Sequence, residues 1–229
     1  MSVSTVRPPS RALASLFVLL LASSLAGCGD AGDAGGADSG NEQTEGTAAE
    51  TGSSGDVDVL GTIEAEVDGE ARTWYVVEGS VRGEPYASGM FMPGGGSRLV
   101  TLGGFDTDDP PLDSFQTDAA AGDISLGDYE GSAINISVDI PDDQASLEVE
   151  LSGMSGTSAI AYMPVATTED VMSSALFAQS GSIRIEDAEF DEARGSLRGT
   201  FSGELSLVDG SRTATISNGR FSVEDIPTR

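Results

Sequence analysis

Lysine and histidine are absent from this chain, and cysteine occurs once, at Cys28. Without histidine the commonest general base and the commonest transition-metal ligand are missing. A Ser-His-Asp triad cannot be assembled, and neither a Gly-x-Ser-x-Gly elbow nor a Ser-x-x-Lys motif occurs. A lone cysteine forms no internal disulfide and no zinc cluster. Every base is an arginine, and the 11 arginines are outnumbered by 38 acids, for a formal net charge of −27. Such a field repels nucleic acid, whose phosphates need clustered Lys and Arg, so no nucleic-acid partner is expected. Long apolar runs are scarce as well. The one at residues 12–26 is shorter than the roughly 20 residues a helix needs to cross a bilayer.

That run follows Arg7 and Arg11, and no acid precedes Asp30. A basic start, a short apolar stretch and small residues ahead of a cut site read as an export signal. The stretch Leu25-Ala26-Gly27-Cys28 resembles the lipobox of bacterial lipoproteins, with Leu25 three residues before the cysteine and small Ala26 and Gly27 between. The resemblance covers the first 28 residues. It implies diacylglycerol on the Cys28 sulfur, cleavage before Cys28 and acylation of the new amino terminus. Two or more acyl chains hold a protein on a membrane stably, where one is marginal. In the Gram-negative sorting rule an Asp directly after the cysteine retains a lipoprotein at the inner membrane. Gly29 stands there and Asp30 one later, which for a Gram-negative host points to the outer membrane. The expected location is therefore the cell envelope, with the membrane reached through the lipid on Cys28.

Residues 28–56 contain Gly, Ala, Ser, Thr and acids, including Asp30, Asp33, Asp38, Glu42, Glu45, Glu50 and Asp56, with no aromatic and no base. Such a composition buries too little apolar surface to offset its ordering entropy, so a disordered linker is expected. A flexible coil of this length reaches roughly 30 Å.

From residue 57 to 229 the pattern changes to period two, the signature of half-buried strands. Ile63, Ala65 and Val67 alternate with Thr62, Glu64 and Glu66, and Asp68-Gly69 marks a hairpin into residues 72–77. There Trp74 and Val76 point one way and Tyr75 and Val77 the other, so both faces are expected to be covered. Further strands are expected at 86–92, 98–105, 133–140, 146–152, 159–165, 182–190, 197–207 and 213–223. Residues 106–123 read as a long loop. Thr168-Glu169-Asp170 reads as the cap of a short helix running through Phe177. Bulges are expected before Phe190 and at Asn218-Gly219, where the alternation changes parity. Many strands with Gly and Asp turns give an all-β fold, an antiparallel sandwich or barrel in one domain after the linker. The segments Gly181-Ser182-Ile183-Arg184-Ile185, Gly199-Thr200-Phe201-Ser202-Gly203 and Ile216-Ser217-Asn218-Gly219-Arg220-Phe221, with Arg72-Thr73-Trp74 and Gly127-Asp128-Tyr129, resemble uncharacterised β-rich bacterial lipoproteins. That resemblance implies a fold and no activity.

Three groups of residues are candidates for chemistry. Asp106, Asp108, Asp109 and Asp113 offer oxygen ligands from one loop, as calcium prefers. Pro110 breaks the EF-hand spacing, and a solvated acidic loop is the competing reading. Glu186, Asp187, Glu189, Asp191 and Glu192 read as an exposed acidic turn. Trp74, Tyr75, Tyr86 and Phe91 would make a sugar-stacking platform if exposed, or core if buried. The sequence supports a non-catalytic envelope module that binds a protein or glycan. The alternatives are a carboxylate-based glycan hydrolase and a lipocalin-like carrier of a small apolar ligand.

Overall fold

The computed structural model describes residues 57–81, 84–112, 116–118, 123–125, 129–153, 157–165 and 174–229. The expected export signal, the lipobox-like residues Leu25, Ala26, Gly27 and Cys28, and the expected linker lie outside the described residues. Thirteen strands follow one another: β1 (Asp58–Val67), β2 (Glu70–Val81), β3 (Glu84–Ala87), β4 (Gly89–Gly94), β5 (Ser97–Phe105), β6 (Gln116–Asp118), β7 (Asp123–Ser125), β8 (Ala133–Pro141), β9 (Leu147–Leu151), β10 (Ala159–Met163), β11 (Leu176–Phe190), β12 (Arg194–Ser206) and β13 (Thr213–Pro227). Eleven of them form one sheet in the order β3-β2-β1-β13-β12-β11-β10-β8-β5-β4, with β9 added on β11. A further pairing of β2 with β5 closes β2-β1-β13-β12-β11-β10-β8-β5 into a ring. All the strand pairings are antiparallel. The expected all-β architecture is present, as a closed barrel. No helix among the described residues is long and apolar enough to cross a membrane.

The hairpin at Asp68-Gly69 has both residues at positive φ, 52° and 83°, the mirror-image turn whose twist matches its strands. Its carboxylate also accepts a bond from Thr215 N at 2.8 Å, which joins the hairpin tip to β13. β12 and β13 alternate buried and exposed residues along almost their whole length. The inward set joins residues from every strand of the ring into one cluster that includes Ile63, Trp74, Val76, Leu102, Ile136, Ile160, Ile183, Phe201 and Phe221. A ring of this strand number leaves an interior about wide enough for side chains to fill. Two phenylalanines fill it reciprocally. Phe221 pairs across the sheet with Gly199 and Phe201 with Gly219, so each ring lies over the other strand's glycine. A Cβ at Gly199 would stand 2.6 Å from Phe221 Cζ, and one at Gly219 2.8 Å from Phe201 Cδ1. The two rings end 6.2 Å apart.

A second apolar cluster covers part of the outside of the ring. It comprises Val77, Tyr86, Phe105, Leu112, Tyr129, Ala133, Ala161, Met163, Ala175 and Phe177, with Tyr75 against it. Trp74, Val76 and Val77 are fully buried, so β2 is covered on both faces as its pattern implies.

Three expectations are corrected. The strand expected at 86–92 is two strands, β3 and β4, broken at Ser88. The helix expected over 168–177 falls mostly outside the described residues, and its last two positions, Leu176 and Phe177, begin β11. Leucine and phenylalanine there pack on opposite faces of a sheet, a burial that outweighs a cap signal several residues upstream. Within the loop expected at 106–123, residues 116–118 form β6, which pairs with β7. Both expected bulges occur: the β11–β12 register shifts between Ile185 and Asp187, and β13 shifts around Asn218, which has φ 52°.

Ser88 sits at the seam of the ring. Its N–H donates to Val77 O at 2.8 Å, its hydroxyl accepts from Val77 N at 2.9 Å, and its carbonyl accepts from Gly103 N at 2.6 Å. One residue thus bridges β2 and β5 where only Tyr75 and Phe105 pair directly. Gly103 is required for this approach, since a Cβ would stand 2.9 Å from Ser88 O. Gly103→Ala is expected to lower stability by about 1–3 kcal/mol through overpacking, measured by urea unfolding. An unchanged midpoint would show that the seam does not constrain the ring.

Candidate functional site

Asp106 directly follows β5, and Ser132 directly precedes β8, so the two stand at the neck of the connection between those strands. Their side chains meet there. Asp106 Oδ2 accepts from Ser132 N at 2.7 Å and from Ser132 Oγ at 3.0 Å, and Asp106 Oδ1 lies 2.6 Å from the Tyr129 hydroxyl. The Tyr129 oxygen is also 2.6 Å from Ser132 O and accepts from Asp106 N at 3.0 Å. On the inner side Trp74 Nε1 donates to Ser132 Oγ at 3.0 Å, and the Trp74 ring meets Tyr162 edge-on at 5.8 Å. A chain of donors therefore runs from a buried indole through a hydroxyl to a carboxylate. Gly131 makes room for it, because a Cβ there would collide with Asp106 Oδ1 and the Tyr129 ring.

This network places the four expected calcium ligands. The Asp106 carboxylate is taken up by Ser132 and Tyr129, Asp108 and Asp109 are exposed on the loop, and Asp113 lies outside the described residues. Among the described residues no three acidic side chains converge on a point where a metal ion could sit. Asp106 fastens the neck. Ser132 gives no sequence signal for this role, since serine beside glycine is common in loops, whereas Tyr129 stands out as an aromatic in the Gly127-Asp128-Tyr129 segment.

The aromatic platform is not assembled. Trp74 and Phe91 belong to the inner cluster, Tyr86 and Tyr75 to the outer one, and only Tyr75 is partly exposed. Phe91 packs on Phe190 at 4.8 Å, and Arg98 lies over the Phe190 ring at 5.4 Å. The acidic run is also divided. Glu186, Asp187 and Glu189 are residues of β11, and Asp191 and Glu192 alone form the turn. Asp191 Oδ1 accepts from the N–H groups of Ala193 and Arg194 at 2.7 Å each, and these bonds hold its carboxyl below the usual range. Asp209 is lowered in the same way by the Ser211 hydroxyl and N–H. A general acid for sugar hydrolysis needs a displacement in the opposite direction.

The outer face of β1, β13, β12 and β11 is polar. A groove of about 220 Å³ crosses it, lined by Thr62, Glu64, Glu186, Arg198, Thr200, Arg220 and Ser222 among others. Strand register sets Arg184 and Arg220 on either side of Thr200. Arg220 Nε donates to Glu64 at 2.7 Å, and Arg198 reaches Asp187 at 3.4 Å. Three arginines are thus gathered in a strongly acidic protein, but neighbouring carboxylates occupy two of them. The groove offers hydroxyl, guanidinium and carboxylate groups to a polar ligand, without a nucleophile and base in contact.

The geometry defines the class: a closed all-β barrel with a packed interior and an outer face that is polar over β1, β13, β12 and β11. Comparison with protein-family models, curated proteins and solved structures finds no match.

Burial raises the Tyr129 hydroxyl well above the ordinary tyrosine range near 10, and the bond to Asp106 adds to this. Burial likewise raises Tyr86 and Tyr162. The unfolded chain loses these protons near pH 10 while the folded chain keeps them, so stability is full below about pH 10 and falls as pH rises beyond it. Phenolate absorbance from these tyrosines is expected to appear together with loss of structure in an alkaline titration. Normal titration near pH 10 in the folded protein would show that they are not buried. At the neck, Asp106→Ala is expected to cost about 1–3 kcal/mol, because it leaves the Ser132 N–H and hydroxyl donors unpaired. Urea unfolding with calcium and with chelator separates this from metal binding: an equal loss in both identifies a structural carboxylate.

Proposed function

We propose that this protein is a non-catalytic binding module of the cell envelope, anchored by lipid on Cys28 and carried on the acidic linker of residues 28–56. The observation that carries the reading is the packing of large apolar side chains through the ring, which leaves the outer face for recognition. A filled interior favours surface recognition over carriage of a small apolar ligand inside. The lipobox-like Leu25-Ala26-Gly27-Cys28 supports the anchor, and Gly29 supports the outer membrane in a Gram-negative host. The partner in this reading is an envelope protein or glycan.

Intact mass of the native product tests the anchor. The expected species begins at Cys28 and carries acyl chains, and Cys28→Ser abolishes both the added mass and sedimentation with membranes. An uncut amino terminus or a free thiol would overturn the anchored reading. Affinity capture with detergent-solubilised native protein is expected to retain an envelope component, while hydrolysis of envelope glycan would replace the binding module by an enzyme.

A further inference from the structure

Three strands of the sheet, β3, β4 and β9, lie outside the ring, and they are protected unequally. β3 is four residues long and contains Pro85, whose carbonyl accepts from Arg229 Nη2 at 3.5 Å. The free side of β4 is covered by the end of the chain: Phe91 bridges Thr228, and Arg229 N donates to Phe91 O at 3.0 Å. β10 lies between β8 and β11. β9 is different. It pairs with β11 from Leu147 opposite Ile185 to Leu151 opposite Gly181, and no strand among the described residues pairs with its other side. β9 and β10 share one lane beside β11, and β8 borders that lane. The pairing of β8 with β10 stops at Ser137, and beyond it Asp139 N donates to Ser158 Oγ at 3.5 Å.

An unpaired strand edge is a template for another strand, and native proteins blunt such edges with proline, charge or a cover. β9 has no proline. Its residues alternate, with Leu147, Val149 and Leu151 toward the inner cluster and Glu148 and Glu150 exposed. We propose that the edge of β9 that no described strand pairs with takes up an extended segment of a partner protein as an added strand, one in which Arg or Lys alternates with apolar residues. Main-chain bonds would supply affinity and alternate side chains specificity. The apolar set would cover half-buried Leu147 and Val149, and the basic set would face Glu148 and Glu150. On the other side of β9 one pair follows this rule, Arg184 opposite Glu148, while uncharged Ser182 stands opposite Glu150. Asp139, Asp142 and Asp143 extend the acidic rim, where Asp142 is held by Arg98 at 2.8 Å. A second copy of the chain fits poorly. Antiparallel pairing about Val149 would set Glu148 opposite the second Glu150, and like charges directly opposite destabilise a sheet. The net charge of −27 opposes self-association further. The inference rests on the binding-module reading and names its partner class.

The test uses the full chain and three fluorescent peptides: one alternating Val and Arg, one with its central Val replaced by Pro, and one with Arg replaced by Glu. Anisotropy titration is expected to give binding of the Val/Arg peptide that weakens with salt, and at least tenfold weaker binding of the other two. Hydrogen exchange is expected to slow at residues 147–151. Glu150→Lys, which faces Ser182 inside the sheet, is expected to weaken the Val/Arg peptide at least threefold and strengthen the Val/Glu peptide. Equal binding of the Pro peptide, protection elsewhere, or sedimentation showing a dimer protected at β9 would overturn the proposal. If all peptides fail while native protein still captures an envelope component, strand addition alone falls and the binding-module reading stands.

Discussion

Closure of the ring depends on a seam with little direct strand pairing, and Ser88 makes that seam possible. β2 and β5 register only at Tyr75 and Phe105, so ordinary ladder bonds cannot hold them together along their length. Ser88 substitutes for the missing strand by bonding to Val77 on one side and Gly103 on the other. The break between β3 and β4 at Ser88 follows from the same need: a residue that bridges two strands cannot continue either one. Just beyond the seam, the bonds among Asp106, Ser132, Tyr129 and Trp74 fasten the neck of the connection to β8. Buried polar groups are costly when unpaired, so a satisfied network of this kind selects one arrangement of the corner over looser ones.

Inside the ring the constraint is volume. Strand alternation delivers an apolar residue from every second position, and the barrel cannot hold a large residue at all of them. Glycine at 199 and 219 creates the space that Phe221 and Phe201 then occupy. Replacing either glycine would displace a ring, and replacing either ring would leave a cavity that the rigid sheet cannot close. The outside carries the opposite character. Acids dominate, the arginines are spread among them, and ion pairs such as Arg194 with Glu78 at 2.8 Å are exposed. Exposed pairs of this kind contribute little to stability. The net charge of −27 opposes self-association.

Much of the fold was legible in the alternating segments. Ile63 to Val67, Ile134 to Ile140 and Leu197 to Leu207 needed only period two and a turn residue at each end to be placed. The bulge at Asn218 was legible because Ile216 and Phe221 cannot face inward together without an extra residue between them. The candidate site was much less legible. The aspartates at 106, 108, 109 and 113 share composition and loop position with a cation site, and only the position of Ser132 and Tyr129 shows that Asp106 is engaged elsewhere. Leu176 and Phe177 were assigned to a helix because the local cap signal carries no information about the strand beside them.

By itself, the sequence settled which residue types are missing and, in the alternating segments, which residues face inward. Missing residue types exclude their chemistry in any fold, and side-chain alternation is a property of an extended backbone alone. Only the tertiary structure decided that the sheet closes, which edge no described strand pairs with, and which acids are already bonded. Those outcomes join residues far apart in the chain, such as Trp74 with Ser132 and Arg194 with Glu78. Pairings over such distances are set by packing of the whole sheet, for which no local pattern is a guide.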